Sequence, residues 1–317
     1  MPRPSKTAFA LLLLNQFIWG SSWVAIKWAQ QQVGPVVLNL WSLGISVVVL
    51  YPFVRTQLRG KPRRRSLQEY SDFAMMGFAG VSGMALLYAW GTSRTLAANG
   101  ALISTAVPVL TSVLAAAVLG ERLTYIRLVS LAIALAGVFT LSDIGWSDAD
   151  FSRGHLTGNL MLLGGTVSNA LYVVYSKKLI AVTEPVLLLF WGQLLGFLGA
   201  LPFLYFDDFT AAAVAGYTPT TWLSLVFLGV VFYALTMVIF FKLLVYLDAG
   251  QIMVATYLQP VLGVLTAAIV LRENITLPMI GSGVLVLAAT ILATYGESGR
   301  LKPGPLPGVG QREGSPD

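Results

Sequence analysis

The chain carries one apolar unit twice, at an offset of about 150 residues. At that shift Lys27 aligns with Lys177, Pro35 with Pro185, Leu38 with Leu188 and Trp41 with Trp191. Two residues further out of register, Gly77 meets Gly229, Ala97-Ala98 meets Ala249-Gly250, and Pro108 meets Pro260. Leu119-Gly120-Glu121 then meets Leu271-Arg272-Glu273, and Thr124 meets Thr276. A duplicated hydrophobic unit restricts the fold to two like halves. It is the pattern of carriers assembled from internal repeats, whose site lies where the halves meet.

Composition places those halves in a membrane. Apolar residues make up 56% of the chain and charged residues 11%, against about 45–50% and about 25% in soluble domains. So few charges cannot cover a water-facing surface of this size. There is no cysteine, which excludes disulfides and thiolate metal sites. The single histidine, His155, rules out a His-based metal cluster and argues against a Ser/His/Asp triad. Neither a metal nor a cofactor is expected. The net charge of +6 suggests nucleic acid at first sight, yet the densest run, Arg55 to Arg65, has no aromatic residues interleaved to stack on bases. A basic run between apolar segments holds a loop on the cytoplasmic side, so no nucleic-acid partner is expected.

Apolar runs of about 20 residues, the length that crosses a bilayer as a helix, occur near 7–29, 35–54, 73–93, 100–119, 125–142, 157–178, 185–205, 222–246, 251–271 and 277–295. A β-barrel would show short alternating segments instead. With the N-terminus inside, the inner face receives Arg3, Lys6, the Arg55–Arg65 run, Arg122, Arg127, Lys177, Lys178, Arg300, Lys302 and Arg312. The outer face receives only Lys27, Arg94, Arg153 and Arg272. Five spans per copy is an odd number, so the second copy enters from the opposite face. The expectation is an all-α integral membrane protein: ten transmembrane helices as two inverted five-helix repeats, over 7–142 and 157–295, with both termini cytoplasmic. Arg3 and Lys6 ahead of an apolar stretch imitate a signal peptide, but that stretch has a counterpart at 157–178 and is expected to stay. Residues 296–317 read as a disordered cytoplasmic tail.

Several motifs recur in order within this frame. They are Trp19-Gly20-Ser21-Ser22-Trp23-Val24-Ala25-Ile26-Lys27, Ala106-Val107-Pro108-Val109-Leu110, Leu119-Gly120-Glu121-Arg122, and the echo Gln259-Pro260-Val261-Leu262 with Arg272-Glu273. Through them, from about Phe9 to Tyr295, the chain resembles the EamA-type ten-helix exporters of the drug/metabolite transporter superfamily. The resemblance implies a bacterial inner-membrane carrier, often an exporter of amino acids or related metabolites. It also implies a central cavity lined by the first, third, fourth, sixth, eighth and ninth spans. Arg272 stands where the family has a glycine, which predicts a looser turn.

A buried polar group costs free energy unless partnered, so polar residues inside these spans mark the candidate substrate site. Asn15, Trp19 and Ser22 share one helical face, as do Asn169, Tyr172 and Ser176. Tyr88, Ser104, Tyr233, Thr256 and Gln259 complete the set. Taken singly, the hydroxyls among them read as interhelical hydrogen bonds, worth about 0.6 kcal/mol each; the combined Trp, Tyr and Asn set reads as site lining. Pro108 and Pro260, at equivalent repeat positions, each remove an N–H and kink a helix; they are candidate hinges, or they simply shape the bundle. Glu121 and Glu273 at helix ends read as salt-bridged or solvated loop residues, and no other acid falls within the spans above, so proton coupling has no evident carrier. Lys27 and Lys242 lie near span ends, where they snorkel to headgroups; Lys242 could instead meet a substrate carboxylate.

An aromatic, neutral lining suits a small solute with an apolar body and a cationic amine, a description an amino acid meets. The expected partners are a small-molecule substrate and the lipid bilayer, with a monomer as the working unit. The expected function is secondary export of aromatic or neutral amino acids or related metabolites by alternating access. The alternative is uptake or exchange of another metabolite, a cofactor or a drug-like cation. An intramembrane enzyme would need a Ser–His pair or paired aspartates, which the spans lack.

Overall fold

The computed structural model describes residues 6–58, 65–120, 124–140, 153–180, 182–207, 209–246 and 258–295. Among them the regular structure is helical throughout. Helix α1 runs Lys6–Ala29 and α2 Pro35–Leu58. Helix α3 covers Leu67–Arg94. The fourth apolar run is broken into α4, Ala97–Ser104, and α5, Val107–Leu119, which meet at 44°. Then follow α6, Tyr125–Thr140, and α7, Arg153–Leu179. Next come α8, Pro185–Ala200, ending in a 3₁₀ turn over Leu201–Phe206, and the short α9, Ala211–Ala215. Helix α10 begins as Pro219–Val226 and ends as Thr236–Tyr246, while α11 spans Leu258–Val270 and α12 Leu277–Tyr295. Glu121, Thr256, Tyr257 and the 296–317 tail lie outside the described residues, as does the Lys242 side chain.

Local sequence sets the helix starts. Ser66 and Glu69 form a capping box, the Ser66 hydroxyl accepting the Glu69 N–H at 3.1 Å. Glu184 and Thr218 cap α8 and α10, each followed by a proline at the first helical position. The capping box corrects the expected start of the third span. The helix begins at Leu67, six residues before the apolar run, because polar caps rather than hydropathy nucleate it. Asp72 therefore lies inside the helix, buried, with its carboxylate 2.8 Å from the Lys178 ammonium of α7.

The two copies interlock instead of standing side by side. Helix α1 packs along α11 and α10 of the second copy, and α7 packs along α3, α4 and α5 of the first. Helix α2 lies against α8 and α10, α8 against α3, and the last helices of each copy, α6 and α12, pair together. The largest buried cluster draws on both copies, with Trp23, Leu38 and Ile103 meeting Leu162, Leu225 and Met279. Outside, side chains such as Val48, Phe53, Ile269 and Leu277 stand open at 62–83% exposure, a surface that water does not tolerate and lipid does. Four helical stretches, Pro35–Leu58, Leu67–Arg94, Pro185–Phe206 and Pro219–Phe240, are long and apolar enough to cross a membrane, and the bent α4–α5 pair makes a fifth. Helices α1 and α7, at 24 and 27 residues, are of comparable length, and other helices pack along much of their surface.

Candidate functional site

The interlock brings several of the expected site residues together. Tyr88 on α3 crosses to α7, where its hydroxyl meets Thr166 at 3.4 Å and the Asn169 side chain. Its ring meets Trp23 of α1 edge-on, with centroids 5.0 Å apart. Gly165 and Gly100 make room for these two rings, since a Cβ at either would strike Tyr88 or Trp23. Tyr233 packs with Leu43, Val81 and Ala85, and Tyr172 of α7 borders the same cluster. Trp19 donates its indole N–H to the Thr236 hydroxyl at 2.9 Å and leans on Phe240, centroids 5.2 Å apart. One aromatic band thus runs between α1, α3, α7 and α10, with contributions from both copies.

Two amides on α1 stand out against this band. Asn15 and Gln16 are 1% and 0% exposed, and neither side chain has a hydrogen-bond partner among the described residues. An unpaired buried amide costs about 1–3 kcal/mol, and these two adjacent residues carry four such atoms. Gln193 of α8 is similar: it donates weakly to the Tyr233 carbonyl at 3.4 Å, and its own oxygen is unpartnered. Sequence reasoning selected Asn15 and passed over Gln16 and Gln193. The signal was identical, an amide inside an apolar run, but Gln193 lies in a span that the resemblance leaves off the cavity.

Other expected residues are occupied locally. The Ser22 hydroxyl donates to the Trp19 carbonyl at 2.7 Å, and Ser104 to the Ala101 carbonyl at 2.9 Å. Such back-bonding satisfies the hydroxyl within its own helix and withdraws both from the set of free donors. Gln259 opens α11 where its backbone carbonyl meets Gly20 of α1 so closely that a Cβ on Gly20 would come within 2.7 Å. Pro108 sits one residue into α5, just past the 44° break. There the carbonyl of Thr105 accepts the Thr290 hydroxyl of α12 at 3.0 Å, so a neighbouring helix takes up the group the break sets free. Pro260 is buried near the start of α11.

Glu273 has a different role from the salt-bridged or solvated residue expected. Its two carboxylate oxygens accept the N–H groups of Ala97 at 2.9 Å and Ala98 at 3.0 Å, capping α4 of the other copy. Negative charge there is favoured by the helix dipole, and Lys27 lies within electrostatic reach. The turn before it is not looser for want of glycine. Arg272 takes the left-handed conformation, φ 57°, that Gly120 takes at φ 70°, so the same helix ending forms at a cost in strain. Asp207 repeats the capping device, accepting the N–H groups of Val36 and Val37 at 2.7 and 3.0 Å.

A cleft of about 480 Å³ between α3 and α8 is walled by Phe78, Leu86, Trp90, Leu198 and Phe203. None of the expected site residues lines it, and its rim residues Phe78 and Leu198 belong to the exposed apolar surface. It is a furrow on the exposed apolar surface. Among the described residues no three His, Asp or Glu side chains gather as a metal site.

A bundle of interlocked apolar repeats enclosing neutral aromatic and amide groups is the architecture of a membrane carrier. The chain belongs to the EamA-like transporter family, which matches it twice, over residues 6–143 and 156–295. It is similar to the "Probable terminal-alkyne amino-acid exporter" of Streptantibioticus cattleyicolor, 26% identical over 96% of this chain and 98% of the relative. It is also similar to the "Probable amino-acid metabolite efflux pump" of Salmonella typhimurium, 25% identical over 90% of this chain and 94% of the relative. A solved crystal structure shares the fold, with a TM-score of 0.58 at 20% identity, covering 91% of this chain and 98% of that one.

Proposed function

We propose that the protein is a secondary transporter that exports aromatic or neutral amino acids, or closely related small metabolites, by alternating access. The observation that carries this reading is the pairing of two buried amides, Asn15 and Gln16, that find no partner among the described residues, with an aromatic band built by both copies. The amides offer donors and acceptors to an amino-acid head group, and Trp19, Tyr88, Tyr172 and Tyr233 offer ring faces to its side chain or ammonium. Thr256 and Gln259 would complete the lining from the ninth span. The family and the printed names of two relatives agree with export of amino-acid-like solutes.

In this reading ten spans form two inverted halves in a bacterial inner membrane, both termini cytoplasmic, with Pro108 and Pro260 as bending points and a monomer as the working unit. The charge bias along the chain supports the orientation. Asp72, the acid buried in α3, is paired with Lys178, and the reading is facilitated export without proton coupling.

The test is uptake of a labelled amino-acid panel into proteoliposomes, with and without a pH gradient. Saturable flux of aromatic or neutral amino acids, indifferent to the gradient and lost in Trp19→Ala, supports the reading. Flux restricted to lipophilic cations or other metabolites overturns the substrate class.

A further inference from the structure

Among the described residues the helical ladder widens at one place in each copy. Between the α-helical ends of α3, residues Met75–Ser82 form a π-helix, and in α10 residues Phe227–Leu235 do the same. The N–H of Gly83 reaches back five residues to the Phe78 carbonyl, and that of Thr236 five residues to Val231. The two stretches begin at the same repeat position, since Met75 and Phe227 are 152 residues apart, like Gly77 and Gly229 within them. π-Helical turns are rare, arise from an extra residue in the helix, and cluster at functional sites. Two at matching positions of a duplicated unit are not an accident of local sequence.

Their surroundings match as well. Gly77 lies against Leu195 of α8, and Gly229 against Ile45 of α2. Ile45 and Leu195 themselves share a repeat position, 150 residues apart. Val81 of the first π segment and Tyr233 of the second also occupy equivalent positions, and they meet in one buried cluster. The two widened turns therefore each send a side chain into one buried cluster at the seam between the copies. Each also controls a ring of the aromatic band: Tyr233 lies inside the second, and Tyr88 follows the first by six residues.

We propose that these paired π segments are the moving parts of the carrier. The extra residue in each shifts along its helix, so that the flanking helical half turns against α8 or α2. Shifting an α-helix by one residue rotates it by about 100° and advances it about 1.5 Å, enough to re-aim Tyr88 or Tyr233 and to slide one packed element past another. Equivalent segments whose Val81 and Tyr233 share one buried cluster with Leu43 and Ala85 are coupled: a shift in one changes the space open to the other. This inference rests on the alternating-access reading above, and it places the motion in α3 and α10 in addition to the proline sites.

The absence of cysteine makes the test direct. Spin labels on two engineered cysteine pairs, Ser93→Cys with Phe209→Cys and Leu67→Cys with Ile180→Cys, report opposite ends of the bundle in the full-length protein in lipid nanodiscs. The expected result is two distance populations for each pair in the parent. Deletion of Ala79 or of Val230, which removes the extra residue and restores α-helical register, collapses each to one. Where a deletion fails to fold, Val230→Ala with Val231→Ala, which favours the α over the π ladder, shifts the populations by at least about threefold. Deletion or substitution variants that fold and keep the parent's two populations unchanged overturn the π-segment proposal and leave alternating access standing. A parent with one population at both ends overturns alternating access itself.

Discussion

The indole N–H of Trp19 and the hydroxyl of Thr236 meet at 2.9 Å, joining the first helix of one copy to the third span of the other. Thr236 passes the bond on, donating to the Phe232 carbonyl at 2.6 Å. Replacing Thr236 by Val leaves the indole donor unpaired and is expected to cost about 1–2 kcal/mol of stability. Trp19→Phe should keep the stack on Phe240 and most of the fold while lowering flux. Trp19→Ala should reduce flux at least about tenfold. Thermal melts of purified protein, set beside proteoliposome flux, separate the two effects.

Glu273 ties the second copy to the first through the N–H groups of Ala97 and Ala98. Glu273→Gln keeps one acceptor but loses the charge that the helix end favours, an expected loss of about 0.5–1.5 kcal/mol. Glu273→Ala leaves two donors without their acceptor and should cost about 2 kcal/mol or more. Equal melting temperatures for the parent and Glu273→Ala would show that the cap contributes nothing.

The glycines that face the opposite copy should not tolerate a methyl group. Gly77→Ala would press on Leu195, and Gly229→Ala would come within 2.6 Å of Ile45 Cβ and 2.9 Å of the Ser42 carbonyl. Each is expected to cost about 1–3 kcal/mol. Gly281→Ala is the control: nothing lies within 4 Å of its Cβ, so it should be neutral or stabilise α12 by about 0.5–1 kcal/mol.

The Asp72–Lys178 pair joins α3 to α7 with Gln68 as a third member, its amide 3.1 Å from Asp72. Asp72 is buried while Lys178 is about a third exposed, so solvent screens one side. Lys178→Met should cost about 1–2 kcal/mol, and adding Asp72→Leu should recover part of it. A double-mutant cycle on melting free energies measures the coupling, and flux that survives in the double variant would show that transport does not need the Asp72 carboxylate.

How much of this was legible depended on how far apart in the chain the deciding contacts lie. The apolar runs, the repeat and the amide at Asn15 stand in the sequence, because each is a matter of local composition or of spacing. Ser22 and Ser104 look identical to free cavity hydroxyls, yet each is taken by a carbonyl three residues back in its own helix. Asp72 hides ahead of the hydropathic start of its span, since the Ser66–Glu69 box starts the helix earlier. The partner of Glu273 lies 175 residues away, and no local pattern announces it.

The sequence by itself determined the solvent and the duplication. A chain with 56% apolar residues and few charges must present its apolar surface to lipid, and a unit written twice must fold twice. Tertiary structure alone decided that the copies interlock, that both third spans widen into π-helix at matching positions, and that Asn15 and Gln16 find no hydrogen-bond partner among the described residues. The physical reason is that lipid tails are as apolar as leucine. Hydrophobicity therefore drives helices into the membrane without selecting neighbours, and close contacts such as Gly77 on Leu195 and Gly229 on Ile45 make that choice.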